Sequence, residues 1–113
     1  MKQHERQLKK DGERTMDADA RALILAAEMG AEIPEVDLHG MDRLDAKRHI
    51  EQAVDAVFVA GDRVVRIVHG AGQGILRKLA REILEQNELV DGWHSASAPQ
   101  SAGVTYAVIL KRN

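Results

Sequence analysis

The chain has 113 residues, with 16 Lys and Arg against 18 Asp and Glu and a net charge of −2. That length holds one domain around one core. The near-neutral balance excludes a polycation that grips nucleic acid by global charge, so any such binding has to come from a local basic patch. There is no cysteine, which excludes disulfides and thiolate metal sites and makes a cytoplasmic location the expectation. No apolar run reaches the roughly 18 residues of a membrane span, and the polar start Met1-Lys2-Gln3-His4-Glu5-Arg6 has no signal-peptide core. Phe58, Trp93 and Tyr106 are the only aromatic residues. The core is therefore aliphatic, and an extended base-stacking platform is not expected.

Residues 1 to about 16 are polar and of mixed charge, and read as a frayed helix or a disordered tail. From Asp17, an N-cap, a helical stripe of Ala20, Leu23, Ile24 and Ala27 runs to Gly30, and Glu32-Ile33-Pro34 is a linker. Residues 1–34 thus form a partly helical N-terminal extension to a domain over 35–113. In that domain Val36 and Leu38 alternate with Asp37 and His39 in a short strand stopped by Gly40. Met41 and Asp42 provide a staple and an N-cap. The helix that follows carries Ala46, Ile50, Ala53, Val54 and Val57 on one stripe and ends at Gly61. Val64 to Val68 is a second strand, apolar enough for a buried parallel position. A glycine-rich turn, His69-Gly70-Ala71-Gly72-Gln73-Gly74, leads to a helix with Ile75, Leu76, Leu79, Ala80, Ile83 and Leu84 inward. Leu89 and Val90 begin a strand through Trp93, and Val104 to Leu110 is the last strand. The order β-α-β-α-β-β, preceded by a helix, predicts an α/β two-layer sandwich with a four-stranded mixed sheet.

In parallel α/β sheets ligands bind outside the carboxyl ends of the strands. The first two strands end at His39-Gly40 and His69-Gly70 on one edge, so Asp37, His39 and His69 are expected to form a cluster there. Imidazole can serve as general acid or base in phosphodiester cleavage, and a carboxylate can orient it or hold a divalent metal. The turn containing Gly70, Gly72 and Gly74 opens a helix, and free backbone N–H groups at such a place form an anion site. Arg77, Lys78 and Arg81 follow in its first two turns, with Arg77 and Arg81 sharing a face. The bland reading of this segment is a tight turn beside a solvated basic face. The spacing G-x-G-x-G is not the dinucleotide fingerprint, and no Gly-Lys-Ser/Thr is present, so no nucleotide cofactor is expected. His49, with Lys47 and Arg48, reads as helix surface, and Trp93-His94 as a core or edge element.

These motifs resemble the Smr (small MutS-related) domain family. Val36-Asp37-Leu38-His39-Gly40 is similar to its D-L-H-G signature, and His69-Gly70-Ala71-Gly72-Gln73-Gly74 with Ile75-Leu76-Arg77 to its H-G-x-G-x-G followed by Leu and a basic residue. Gly103-Val104-Thr105 with Val108-Ile109-Leu110 looks like the closing strand. The resemblance covers about residues 35 to 111. It implies a fold like the C-terminal domain of a bacterial translation initiation factor, nucleic-acid binding, and in many members endonuclease activity on DNA or RNA, in DNA repair or recombination or in RNA and ribosome quality control. The presumed catalytic positions fall on Asp37, His39 and His69, with Gly70 to Gly74 as backbone-binding surface. Some members carry arginine in place of the D-L-H histidine, and the histidine kept here points to an active enzyme. Gln100-Ser101-Ala102-Gly103 departs from the expected Gly-Gly pair. Mg or Mn, held by Asp37 and His39, is a possible cofactor, more needed on DNA, which lacks the internal 2′-hydroxyl nucleophile. No ATPase or clamp region precedes the domain, so ATP-driven mismatch recognition is not expected. Two rival readings stand beside the nuclease. One is a non-catalytic nucleic-acid-binding module; the other is an adaptor whose N-terminal extension recruits a ribosome or a repair protein.

Overall fold

The computed structural model describes residues 17–70, 72, 74–96 and 103–112. The polar segment 1–16, Ala71, Gln73 and the loop positions Gln100-Ser101-Ala102 lie outside them. The elements are α1 (Ala18–Glu28), β1 (Glu35–Asp37), α2 (Arg43–Ala60), β2 (Val64–Val68), α3 (Ile75–Gln86), β3 (Val90–Ser95) and β4 (Val104–Ile109). This is the expected β-α-β-α-β-β order behind a leading helix. The last strand stops one residue earlier than its apolar run suggested, and the third runs on to Ser95.

Local chemistry accounts for the helix boundaries. Asp17 Oδ1 accepts the Ala20 N–H at 2.8 Å and Asp42 Oδ1 accepts the Asp45 N–H at 2.8 Å, each satisfying an orphan donor of the first turn. Gly61 ends α2 at φ 81°, a left-handed conformation that costs glycine nothing.

The sheet order is β1-β2-β4-β3, with β1 parallel to β2 and the other pairs antiparallel. Alternation along the strands divides the core in two. Val36, Leu38, Val65, Ile67, Ala107 and Ile109 face α2 and α3, forming the main core with Ile50, Val54, Leu79 and Leu84. Val64, Tyr106 and Val108 face the other way, against Ala20, Ile24 and Ala27 of α1. The expected sandwich of two helices on a mixed sheet is present, and α1 covers the opposite face. Leu23, expected on the buried stripe, is 40% exposed. Only the narrow line 20-24-27 meets the sheet, and no second helix among the described residues flanks it.

Arg63 ties α1 down. Its Nε donates to the Ile109 carbonyl at 2.7 Å and its Nη2 to Asp17 Oδ2 at 2.7 Å, with Arg63 itself buried. Asp17 titrates below the ordinary carboxylate value, first through the Ala20 N–H bond and then through the Arg63 bond.

Candidate functional site

Parallel pairing sets Asp37 beside Val68, and the Leu38 N–H donates to the Val68 carbonyl at 2.8 Å. β1 and β2 therefore end on the same edge, as expected of two strands joined by a crossover helix. The three residues predicted to cluster there are treated differently by their surroundings. Leu38 faces the core with no exposure, so Asp37 and His39 leave toward solvent. Asp37 Oδ1 accepts the backbone N–H of His39 at 2.9 Å, so the carboxylate shapes, through the backbone, the turn that presents His39. Gly40 follows at φ 77° and turns the chain away.

His69 is drawn to the other side of β2. Its backbone N–H donates to the Gly103 carbonyl at 2.8 Å, and that of Gly70 to the same oxygen at 3.1 Å. The ring is buried, 5% exposed, with Nδ1 3.0 Å from the Gly70 carbonyl oxygen and Nε2 2.8 Å from Thr105 Oγ1. A carbonyl can only accept, so Nδ1 carries the proton. Burial pushes the His69 pKa below 6.5; the Gly70 bond opposes that shift, and Arg81 and Arg77 reinforce it. The ring is then neutral at pH 7, and Nε2 accepts a hydrogen bond from the Thr105 hydroxyl. Arg81 Nη2 in turn donates to Thr105 Oγ1 at 3.4 Å. The result is a directed relay from Arg81 through Thr105 and His69 to the first carbonyl of the glycine turn.

The expected trio shares one edge, with Asp37 and His39 exposed and His69 engaged internally. Among the described residues no three His, Asp or Glu are arranged to hold a metal ion. Asp37 and His39 are at most a partial ligand set for Mg or Mn, whose remaining ligands would be substrate oxygens and water.

The glycine turn is where the anion-binding features concentrate. Gly70 and Gly74 have φ of 83° and 85°, and Gly74 is the N-cap of α3. Asp17 and Asp42 cap the other two helices with carboxylates, whereas Gly74 has no side chain to accept from the first-turn N–H groups. Gly70, Gly72 and Gly74 line a cavity of about 310 Å³ with His69, Ile75 and Leu76. Ile75, read from sequence as inward, is 69% exposed, because the first turn of α3 faces this cavity and not a strand. Arg77 and Lys78 are exposed beside it. The Arg77 guanidinium folds so close over Gly74 that a Cβ there would lie 3.1 Å from Nη2.

Arg81 lines one groove with Arg77, as their spacing suggested, but its side chain is held inward. It is half-buried, donates to Ser95 Oγ at 2.8 Å and stacks 4.2 Å above the Trp93 ring. Position 81 belongs to the sheet-facing side of α3, one residue after the buried Ala80, and β3 captures it. Sequence reasoning missed Thr105, Ser95 and Trp93 as members of this site. The one available signal was Thr105, a small hydroxyl inside the apolar closing strand, fully buried and so in need of a partner.

A family profile described as Smr domain matches residues 36–111. Endonuclease MutS2 of Lactiplantibacillus plantarum is 37% identical over 84 residues, covering 74% of this chain and 10% of that protein. Endonuclease MutS2 of Thermus thermophilus is 34% identical over 79 residues, covering 70% and 10%. The chain thus spans 10% of the length of these curated relatives. Among solved structures, the Smr domain of Thermus thermophilus MutS2 superposes with a TM-score of 0.64 at 30% identity, over 69% of this chain and 99% of that one. YdaL, a stand-alone small MutS-related protein from Escherichia coli, gives 0.67 at 17% identity over 87% and 80%, a likeness that bears on the fold alone.

Proposed function

The chain belongs to the Smr domain family, and from that premise we propose that it binds nucleic acid at the β1–β2 edge and acts there as an endonuclease on DNA or RNA. The observation that carries this reading is the glycine turn: Gly74 leaves the first-turn amides of α3 without a side-chain cap, next to the exposed Arg77 and Lys78. Such an end attracts a phosphodiester both by its N–H groups and by its dipole. The relatives named Endonuclease MutS2 give the reaction class its support.

Each residue then has a part. The loop amides and Arg77 hold the phosphate and stabilise charge growing on it. His39, exposed on the same edge and presented by Asp37, exchanges protons with the attacking and departing oxygens. His69, with both ring nitrogens engaged, locks the turn through Gly70 and is a positioning residue. Asp37, with His39, would hold a divalent ion, which would supply charge stabilisation at the phosphate on DNA, and on RNA the 2′-hydroxyl supplies the nucleophile without one.

The test is incubation of the pure protein with supercoiled plasmid and with structured RNA, with Mg²⁺, Mn²⁺ or chelator, beside His39→Ala. Cleavage that the variant loses supports the nuclease, and the preferred polymer separates DNA repair from RNA quality control. Equal cleavage by both proteins refutes the assignment of His39. A second reading, a non-catalytic binding module, is favoured by the internal engagement of His69, and binding without cleavage under every condition selects it. Recruitment of a ribosome or repair protein through the N-terminal extension belongs to the same proposal; α1 offers it Leu25 and Met29, 58% and 80% exposed.

A further inference from the structure

Beside the glycine turn lies a second cavity, of about 530 Å³, in the groove between α3 and β3. It shares Gly74 with the smaller one, so the two are neighbours along the N-terminal half of α3. Its charge is divided. Arg77 and Lys78 line the end near the turn, while Glu82 and Glu85 line the groove with Trp93 further along. Lys78, Glu82 and Glu85 follow one helical stripe, with Glu82 about 6 Å and Glu85 about 10 Å beyond Lys78 along the axis.

Two carboxylates are the wrong lining for a backbone phosphate, which they repel. They are the right lining for N–H donors, and the amino edge of a nucleobase is such a donor. The groove also has a stacking surface. The Arg81 guanidinium carbon lies over the Trp93 ring, 4.2 Å from its centroid, and Ser95 Oγ holds the group there at 2.8 Å. A guanidinium plane backed by an indole is a platform on which a base stacks. Trp93 Nε1–H donates to Glu85 Oε2 at 3.5 Å, which places one carboxylate at the edge of that platform.

We propose that this groove is a subsite for one unpaired, amino-bearing nucleobase, stacked on Arg81 and read by Glu82 and Glu85, on the nucleotide next to the phosphate held by the glycine turn. The proposal rests on the phosphate reading of that turn. A base within a duplex has its Watson–Crick edge occupied and must be unstacked to enter, so the subsite selects single-stranded or flipped nucleotides. A single platform suffices for this, and the scarcity of aromatic residues stands against an extended one only.

Trp93 is the only tryptophan in the chain, so its emission reports on the groove directly. The experiment titrates the full chain at low salt with cytidine and uridine ribotetranucleotides, with a duplex of the cytidine strand, and with inorganic phosphate. Trp93 emission and the backbone amide resonances of Gly72 and Gly74 are followed together. The expected result is a change in emission with the cytidine strand, which binds roughly tenfold more tightly than the uridine strand and more tightly than the duplex. Glu82→Ala with Glu85→Ala, both exposed positions, lowers that ratio to about one, while any gain from reduced repulsion of phosphate falls on both strands equally. Equal affinity of the wild type for the two strands, with the glycine amides shifted and the tryptophan unmoved, overturns the base subsite and leaves the phosphate site standing. Failure of phosphate and of every oligonucleotide to move the glycine amides removes the phosphate reading, and this proposal with it.

Discussion

Thr105→Val isolates the relay that fixes the glycine turn. The substitution keeps shape and volume at a position with no solvent exposure and deletes one hydroxyl. That hydroxyl is the donor to His69 Nε2 at 2.8 Å and a long acceptor, at 3.4 Å, for Arg81. Arg81 keeps its bond to Ser95, so the loss concentrates on His69, whose ring is too buried for water to replace the missing donor. Leaving one buried acceptor unsatisfied costs about 1–3 kcal/mol, and the added methyl returns about 0.8 kcal/mol. A net loss of about 0.2–2 kcal/mol corresponds to a fall of roughly 1–9 °C in Tm for a domain of this size. Urea denaturation measures the free energy, and long-range proton–nitrogen spectra of the imidazole identify its tautomer. Wild type is expected to protonate Nδ1, with Nε2 bare, and Thr105→Ser to restore most of the stability. A Thr105→Val protein as stable as wild type, or a wild-type ring protonated on Nε2, would refute the relay.

Further outcomes follow from the same geometry. Because burial lowers the His69 pKa below the 6.5 of an ordinary histidine, the unfolded chain binds more protons than the native one as the pH drops through that value. The stability contribution is therefore complete above pH 6.5 and is lost on acidification; in urea titrations against pH, His69→Gln should flatten that loss. Gly74→Ala combines a φ of 85° with a 3.1 Å approach to Arg77, so it should cost about 1–2 kcal/mol and weaken oligonucleotide binding. Gly61→Ala, with open space around its Cβ, should cost stability alone. Arg77→Ala is expected to weaken binding to all sequences alike and to reduce the slope of log affinity against log salt by about one, as read by anisotropy over a salt series. Arg63→Met removes the Nε donor to the Ile109 carbonyl and the Nη2 partner of Asp17, and a loss of about 2 kcal/mol in urea denaturation is expected. Since Asp17 is half exposed, Asp17→Ala should lose less.

Much of the fold was legible in the chain because its signals are local. Asp17, Asp42 and Gly61 sit where a helix needs a cap or a stop, and the period of the apolar residues separates α2 and α3 from the strands. Parallel pairing of β1 and β2 follows from the intervening helix, and this alone places His39 and His69 on one edge. Leu23 and Ile75 were misjudged because periodicity says which side of a helix is apolar, not whether anything covers it. The closing loop through Gln100, Ser101 and Ala102 lies outside the described residues, so the departure from a Gly-Gly pair there carries no structural account.

What the sequence by itself determined is the order and type of the elements, the sheet edge on which the motifs gather, and the glycine turn at the head of a basic helix. Each of these depends on contacts within a few residues or on the short list of ways a βαβ unit can close. Only the tertiary structure decided the state of each side chain. His69 is internally bonded because β4, from the far end of the chain, brings Thr105 against it, and burial there lowers its pKa. Arg81 is held against the sheet because β3 offers Trp93 and Ser95. His39 stays exposed because Leu38 takes the core position beside it. Protonation and hydrogen bonding answer to burial and to neighbours distant in sequence, and those become known only when the strands are placed side by side.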